Sequence, residues 1–229
     1  MIPSILHYQS REALASDLAE IVARELSEAL AAKGRATLAV PGGSTPGPFL
    51  AALSEEAVDW GKTAVMLTDE RFVPESSERS NTRLLRETLL RNRAAAATLV
   101  PFYAEAAQAE DVLADLTSGL LPHLPLDVCV LGMGEDMHTA SLFPGADRLA
   151  EALGPEAAPL IPMRAPGAPE PRITLSAPVL RAAGTLHVLI TGAAKQAALE
   201  LAMRDGPEAE APIRAILNAP SAVTVHYAD

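Results

Sequence analysis

The sequence predicts an α/β protein with a three-layer, Rossmann-like fold, in which a largely parallel sheet is covered by helices on both faces. Two observations carry this reading. Short apolar runs alternate with helical patterns almost throughout the chain, an order that calls for parallel strands joined by crossover helices. The run Leu126–Val130, too short and too β-branched for a helix, then ends in Leu131-Gly132-Met133-Gly134 and leads into two acids and a histidine. Titratable groups just past a buried strand lie at the carboxyl edge of a sheet, where open α/β folds bind ligands.

Each element follows from local pattern. From Ser10 to Ala32, the residues Leu14, Leu18, Ile21, Val22 and Leu26 recur at helical spacing, with Ser10 placed to cap the start and Gly34 to follow the end. Ala36–Val40 reads as a strand stopped by Pro41-Gly42-Gly43, and a short helix follows at Pro48–Leu53. Ala64–Thr68 is a second strand, running into Asp69-Glu70-Arg71. Ser80-Asn81 opens a helix through Leu84, Leu85, Leu89 and Leu90. A strand at Thr98–Tyr103, a helix at Ala106–Leu121 and the strand Leu126–Leu131 come next. The proline- and glycine-rich stretch Pro155–Pro171 reads as a loop around a short strand at Leu160-Ile161. Beyond it lie a strand at Arg172–Leu175, a helix at Ser176–Ala183, a strand at Leu186–Ile190, helices at Ala193–Met203 and Pro212–Leu217, and a strand at Ala222–His226. Because alternation resumes after the proline-rich stretch, residues 1–229 read as one domain.

Composition limits the functional classes. In 229 residues, 49% are hydrophobic and only 3% aromatic, which suits a core of Ala, Leu and Val. No apolar run approaches the roughly 20 residues of a membrane span, and Met1–Ser10 lacks the pattern of a signal peptide, so a cytoplasmic protein is expected. Cys129 is the only cysteine, so an internal disulfide and a thiolate metal cluster are both excluded; within its apolar run it reads as an inert buried thiol. The formal charge of −11 argues against a general nucleic-acid surface, which needs clustered Lys and Arg. It leaves open an anionic small ligand held by a few local cations.

Five segments carry the chemistry. Val40–Pro46 places Gly42, Gly43, Ser44 and Thr45 between a strand and a helix, where backbone N–H groups and hydroxyls can cradle an anion; the other reading is a turn with an N-cap. It is neither a Walker A loop nor a dinucleotide fingerprint. In Thr68–Pro74, Asp69 and Arg71 fall on the same side if the chain stays extended, although Asp69 and Glu70 also fit a solvated strand end. His138 is the best-placed general base, with Asp136 or Glu135 near enough to orient it. Lys195, after Thr191-Gly192, and Arg172, after the proline-rich loop, are cations that could reach the same cleft. His187 and His226 lie in strand patterns and read as packed or edge residues.

Taken in order, these motifs resemble those of the 6-phosphogluconolactonase family, within the superfamily that includes glucosamine-6-phosphate deaminase and ribose-5-phosphate isomerase. The resemblance covers nearly the whole chain, through Gly42–Pro46, Asp69–Arg71 with Val73-Pro74, Ser80-Asn81, Leu131–Pro144, Arg172–Thr174, Gly192 with Lys195, and Pro212–Leu217. It implies hydrolysis of 6-phospho-D-glucono-1,5-lactone in the oxidative pentose phosphate pathway. His138 would activate water, assisted by Asp136, with Asp69 and Arg71 lining the site. The Gly-Gly-Ser-Thr loop, Arg172 and Lys195 would hold the phosphate. No metal or organic cofactor is implied, and the partner is a small sugar-phosphate lactone, with no nucleic acid or membrane and a monomer or weak homodimer as the assembly. The family usually has Gly where this chain has Met137; if that position requires positive φ, Met costs about 1 kcal/mol. Two other readings stay open. A deaminase or isomerase of the same fold would use further carboxylates, and Ser141–Gly145 supplies none before Asp147. A non-catalytic sugar-phosphate sensor would keep the cradle and lose the base, and Met137 is the residue that favours it.

Overall fold

The computed structural model describes residues 3–229; Met1 and Ile2, the start of the Met1–Ser10 segment that lacks a signal-peptide pattern, lie outside them. The chain opens with β1 (Ser4–His7), α1 (Arg11–Lys33), β2 (Ala36–Val40) and α2 (Gly47–Leu53), followed by β3 (Thr63–Leu67), β4 (Asp69–Arg71), α3 (Asn81–Thr88), β5 (Thr98–Leu99) and α4 (Ala109–Leu120). It continues through β6 (Val128–Gly132), α5 (Leu149–Leu153), β7 (Leu160–Met163), β8 (Arg172–Leu175) and α6 (Ala177–Arg181), and ends with β9 (Thr185–Thr191), α7 (Ala193–Ala202), α8 (Arg214–Leu217) and β10 (Val223–Ala228).

Seven strands form one sheet in the order β1-β10-β9-β6-β2-β3-β5, and every pairing in it is parallel. From β2 the chain winds outward through β3 to β5, whereas from β6 it winds the opposite way to β9 and β10. The reversal falls between the neighbours β2 and β6, and it opens a crevice at their carboxyl ends. β2 and β3 are buried at every position, as strands covered on both faces must be. α1 packs on α2, β2 and β10 through a buried stripe that includes Leu14, Leu18, Val22 and Leu26. Its ends follow the sequence reading: the Ser10 side chain accepts from the Ala13 N–H, and Gly34 at φ 72° donates its N–H to the Leu30 carbonyl. No helix among the described residues is long and apolar enough to cross a membrane.

A second, three-stranded antiparallel sheet has the order β4-β8-β7, and two parts of it depart from expectation. Asp69–Arg71 is a strand, not a solvated strand end, and both Asp69 and Glu70 are buried. The pairing that makes it a strand comes from β8, about a hundred residues later. Thr68 joins the two sheets: its N–H donates to Val40 and its carbonyl accepts from Leu175. The strand expected at Leu160-Ile161 runs on to Met163, because β7 continues pairing with β8 as far as Arg172. Elsewhere, Thr98–Tyr103 is strand only at Thr98-Leu99, where β3 offers partners, and β1 is an additional edge strand on β10.

His187 of β9 and His226 of β10 are buried beneath α1. They form a hydrogen-bonded chain in which Tyr8 Oη meets His226 Nδ1 at 2.8 Å, His226 Nε2 meets His187 Nδ1 at 3.0 Å, and His187 Nε2 meets Glu25 Oε2 at 2.8 Å. Burial, with His187 acting the same way and Glu25 opposing, pushes His226 down to about 3. The unfolded chain, with an ordinary imidazole near ~6.5, takes up this proton first, so stability falls as pH drops from about 6.5 toward 3. Urea unfolding at pH 7 and pH 4.5 is expected to show a loss larger in the wild type than in His226→Asn, by on the order of 1–3 kcal/mol. Equal losses in the two proteins would contradict this assignment.

Candidate active site

The crevice at the β2/β6 reversal holds a cavity of about 260 Å³. All of the candidate residues named from sequence line it except Asp136 and Glu135, and of these two it is Asp136 that meets the His138 ring. Gly42, Gly43, Ser44 and Thr45 come from the loop after β2, and Asp69 and Arg71 from β4. His138 comes from the loop after β6, with Arg172 from β8 and Lys195 from α7. Asp136 is not part of the wall; it stands behind His138 in the same loop.

The loop after β2 is shaped by glycines. Gly43 has φ 90°, a left-handed conformation that L side chains resist. Gly42 lies directly against the side-chain amide of Asn81, so that a methyl group there would overlap it. Asn81 also lines the cavity and donates from Nδ2 to the Asp69 carbonyl at 3.0 Å.

His138 is held from two directions. Its Nδ1 lies 2.5 Å from Asp136 Oδ1, and the same oxygen accepts from the His138 backbone N–H. Its ring stacks on Phe143, with centroids 4.2 Å apart. Gly134 is enforced by this pair, since a Cβ there would run into His138 and Asp136. The turn between them puts Met137 at φ 65°. The strain anticipated for a Met at this position is therefore present, about 1 kcal/mol, and is offset by packing of its side chain against the core. Ala140 at φ 48° adds a second strained residue on the far side of the histidine, as functional loops often do.

The acids divide their work. Asp136 faces His138, whereas Asp69 accepts from Ser141 Oγ at 2.6 Å and pairs with Arg172 at 3.6 Å. Arg172 is largely buried and lies 5.1 Å over the Phe143 ring. Burial pulls its guanidinium below the ordinary range while Asp69 opposes, and burial lowers the Lys195 ammonium while Glu135 opposes. Two partly desolvated cations in one cavity favour an anionic ligand, because neutralising them recovers the cost of burying them. Arg71 donates from Nη1 to the Arg79 carbonyl at 2.6 Å, which fixes its head at the rim. Among the described residues, no three His, Cys, Asp or Glu side chains gather as a metal-binding cluster.

Sequence reasoning missed Asn81, Ser141 and Phe143 as parts of the site. All three lie inside motifs that were noted, but their roles depend on contacts with other segments. Asn81 and Ser141 meet Asp69, and Phe143 meets Arg172.

Comparison with known proteins gives a consistent result. The model of the family described as glucosamine-6-phosphate isomerases/6-phosphogluconolactonase matches residues 9–226. The chain is 47% identical over 225 residues to a 6-phosphogluconolactonase of Rhizobium meliloti, covering 96% of this chain and 97% of that protein. It is 48% identical over 225 residues to a 6-phosphogluconolactonase of Mesorhizobium japonicum, covering 96% and 93%. The crystal structure of a 6-phosphogluconolactonase from Shewanella baltica superposes with a TM-score of 0.96 at 34% identity, covering 99% of this chain and 98% of that one.

Gly134→Ala is expected to push the imidazole away from Asp136 and to cost about 1–3 kcal/mol through overpacking. Chemical denaturation reads the stability, and the distance from His138 Nδ1 to Asp136 in a crystal structure of the variant reads the contact. An unaltered distance would mean that the loop absorbs the methyl group elsewhere.

Proposed function

Because the chain belongs to the glucosamine-6-phosphate isomerase/6-phosphogluconolactonase family, we propose that it hydrolyses 6-phospho-D-glucono-1,5-lactone to 6-phospho-D-gluconate, a step of the oxidative pentose phosphate pathway. The observation that carries this reading is the His138–Asp136 pair at 2.5 Å facing a cavity that also holds the glycine loop, Arg172 and Lys195.

The phosphate sits against Gly42–Thr45, where backbone amides and the Ser44 and Thr45 hydroxyls supply donors, and Arg172 and Lys195 supply charge. Anchoring this remote group orients the lactone carbonyl near His138. Asp136 occupies Nδ1, which leaves Nε2 to take a proton from water as its oxygen bonds to the lactone carbon. Arg71 stabilises the resulting oxyanion. Collapse of the tetrahedral intermediate breaks the bond to the ring oxygen, and the imidazolium returns its proton to that oxygen. The neutral base is regenerated and the open-chain acid is released.

With lactone generated in situ, His138→Ala is expected to lose at least about 10²-fold in kcat, while 6-phosphogluconate binding stays within a few-fold of wild type. Full turnover by the variant would remove His138 from the role of base. A wild-type rate no higher than spontaneous hydrolysis would overturn the lactonase reading.

A further inference from the structure

Glu70 stands between two residues of the proposed site yet points away from the cavity. It is 1% exposed, and among the described residues its carboxylate accepts four hydrogen bonds and pairs with no cationic side chain. Oε1 accepts from the Arg71 N–H at 2.7 Å and the Asn81 N–H at 2.8 Å. Oε2 accepts from the Thr82 N–H at 2.7 Å and from Ser80 Oγ at 3.2 Å. Ser80 Oγ in turn accepts from the Arg83 N–H. In the first turn of α3 the otherwise unpaired N–H groups of Asn81 and Thr82 are thus satisfied by a carboxylate reaching across from β4, and the helix dipole favours that charge.

We infer that Glu70 is a positioning residue for the phosphate cradle, acting through Asn81. Asn81 is the first residue of α3, and its side-chain amide is the surface on which Gly42 rests. Where that amide stands therefore sets how far the Gly42–Thr45 loop can settle toward the cavity. Arg71 depends on Glu70 less, because ladder pairing with Arg172 holds its backbone independently. Asn81 has no such ladder; its backbone N–H is held by Glu70 and its side chain by the Asp69 carbonyl. Loss of the carboxylate should thus fall on phosphate binding more than on the chemical step. The inference rests on the proposed function for the identity of the anion, but not for the geometry.

Glu70→Gln puts an NH2 group opposite donors, and Asn81→Ala removes the amide itself. Each is expected to raise KM for the lactone by on the order of tenfold or more, the scale of a small misplacement propagated to a site, with kcat reduced less. The Glu70→Gln/Asn81→Ala double variant is expected to be little worse than Asn81→Ala alone, because the two act in series. Leu85→Val, a buried substitution in the same helix, controls for general loosening and is expected to lower Tm without raising KM. Independent, multiplicative effects in the double variant would overturn the inference, as would an unchanged KM in Asn81→Ala, which decides the matter even if Glu70→Gln does not fold. Should the wild type hydrolyse no lactone, the function falls separately. Calorimetric binding of inorganic phosphate then decides this inference, with weaker binding in both single variants sustaining it, and equal or undetectable binding in all proteins overturning it.

Discussion

The constraint on which this structure depends is that all strands of the main sheet run the same way. Parallel neighbours cannot be joined by tight turns, so each must be reached by a crossover, and the crossovers bury both faces of the sheet. All carboxyl ends then emerge at a single edge. Because the winding reverses between β2 and β6, the loops leaving those strands diverge and leave a gap that neither fills. The glycine loop, the histidine loop and the lysine after β9 share a cavity for that reason, although they are far apart in sequence.

The second sheet completes what the first begins. Extending from β3 through Thr68, it carries Asp69 and Arg71 over the crevice and brings Arg172 beside them by antiparallel pairing. Its buried charges are kept in order by partners rather than by exposure to water. Asp69 has Arg172 and Ser141, and Glu70 has the amides of α3. Removing one partner from such an arrangement costs more than the arrangement contributes, since the group left behind remains buried.

How far the sequence could be read follows from how local each signal is. The continuous apolar runs of β2, β3 and β6 and the capped stripe of α1 are self-sufficient, and they appear where periodicity puts them. Ser4–His7 has no such signature, because β1 is a short exposed edge that becomes a strand only when β10 lies beside it. Asp69–Arg71 is the sharpest case: three charged residues have little strand propensity, and their extended form is imposed by β8. The motif residues that converge on the cavity were legible because glycines, acids and histidine at strand ends are unusual in themselves. Asn81, Ser141 and Phe143 were not, since ordinary residue types acquire their part only through segments that the fold brings to them. Met137 lies between these cases: its identity was visible as a departure and a positive φ could be named as a condition, but only the turn between Gly134 and His138 makes that backbone left-handed.

The seam at Thr68 has a mechanical consequence. Under the proposed function, an anion held between Gly43 and Arg172 would bridge two sheets that the polypeptide itself joins, at that point, through Thr68. Occupancy would then act as a cross-brace, its contribution to resistance against unfolding growing with the logarithm of ligand concentration, to about 2.7 kcal/mol at a hundred times Kd. The protein's resistance to unfolding would then depend on the concentration of the very molecule it acts on.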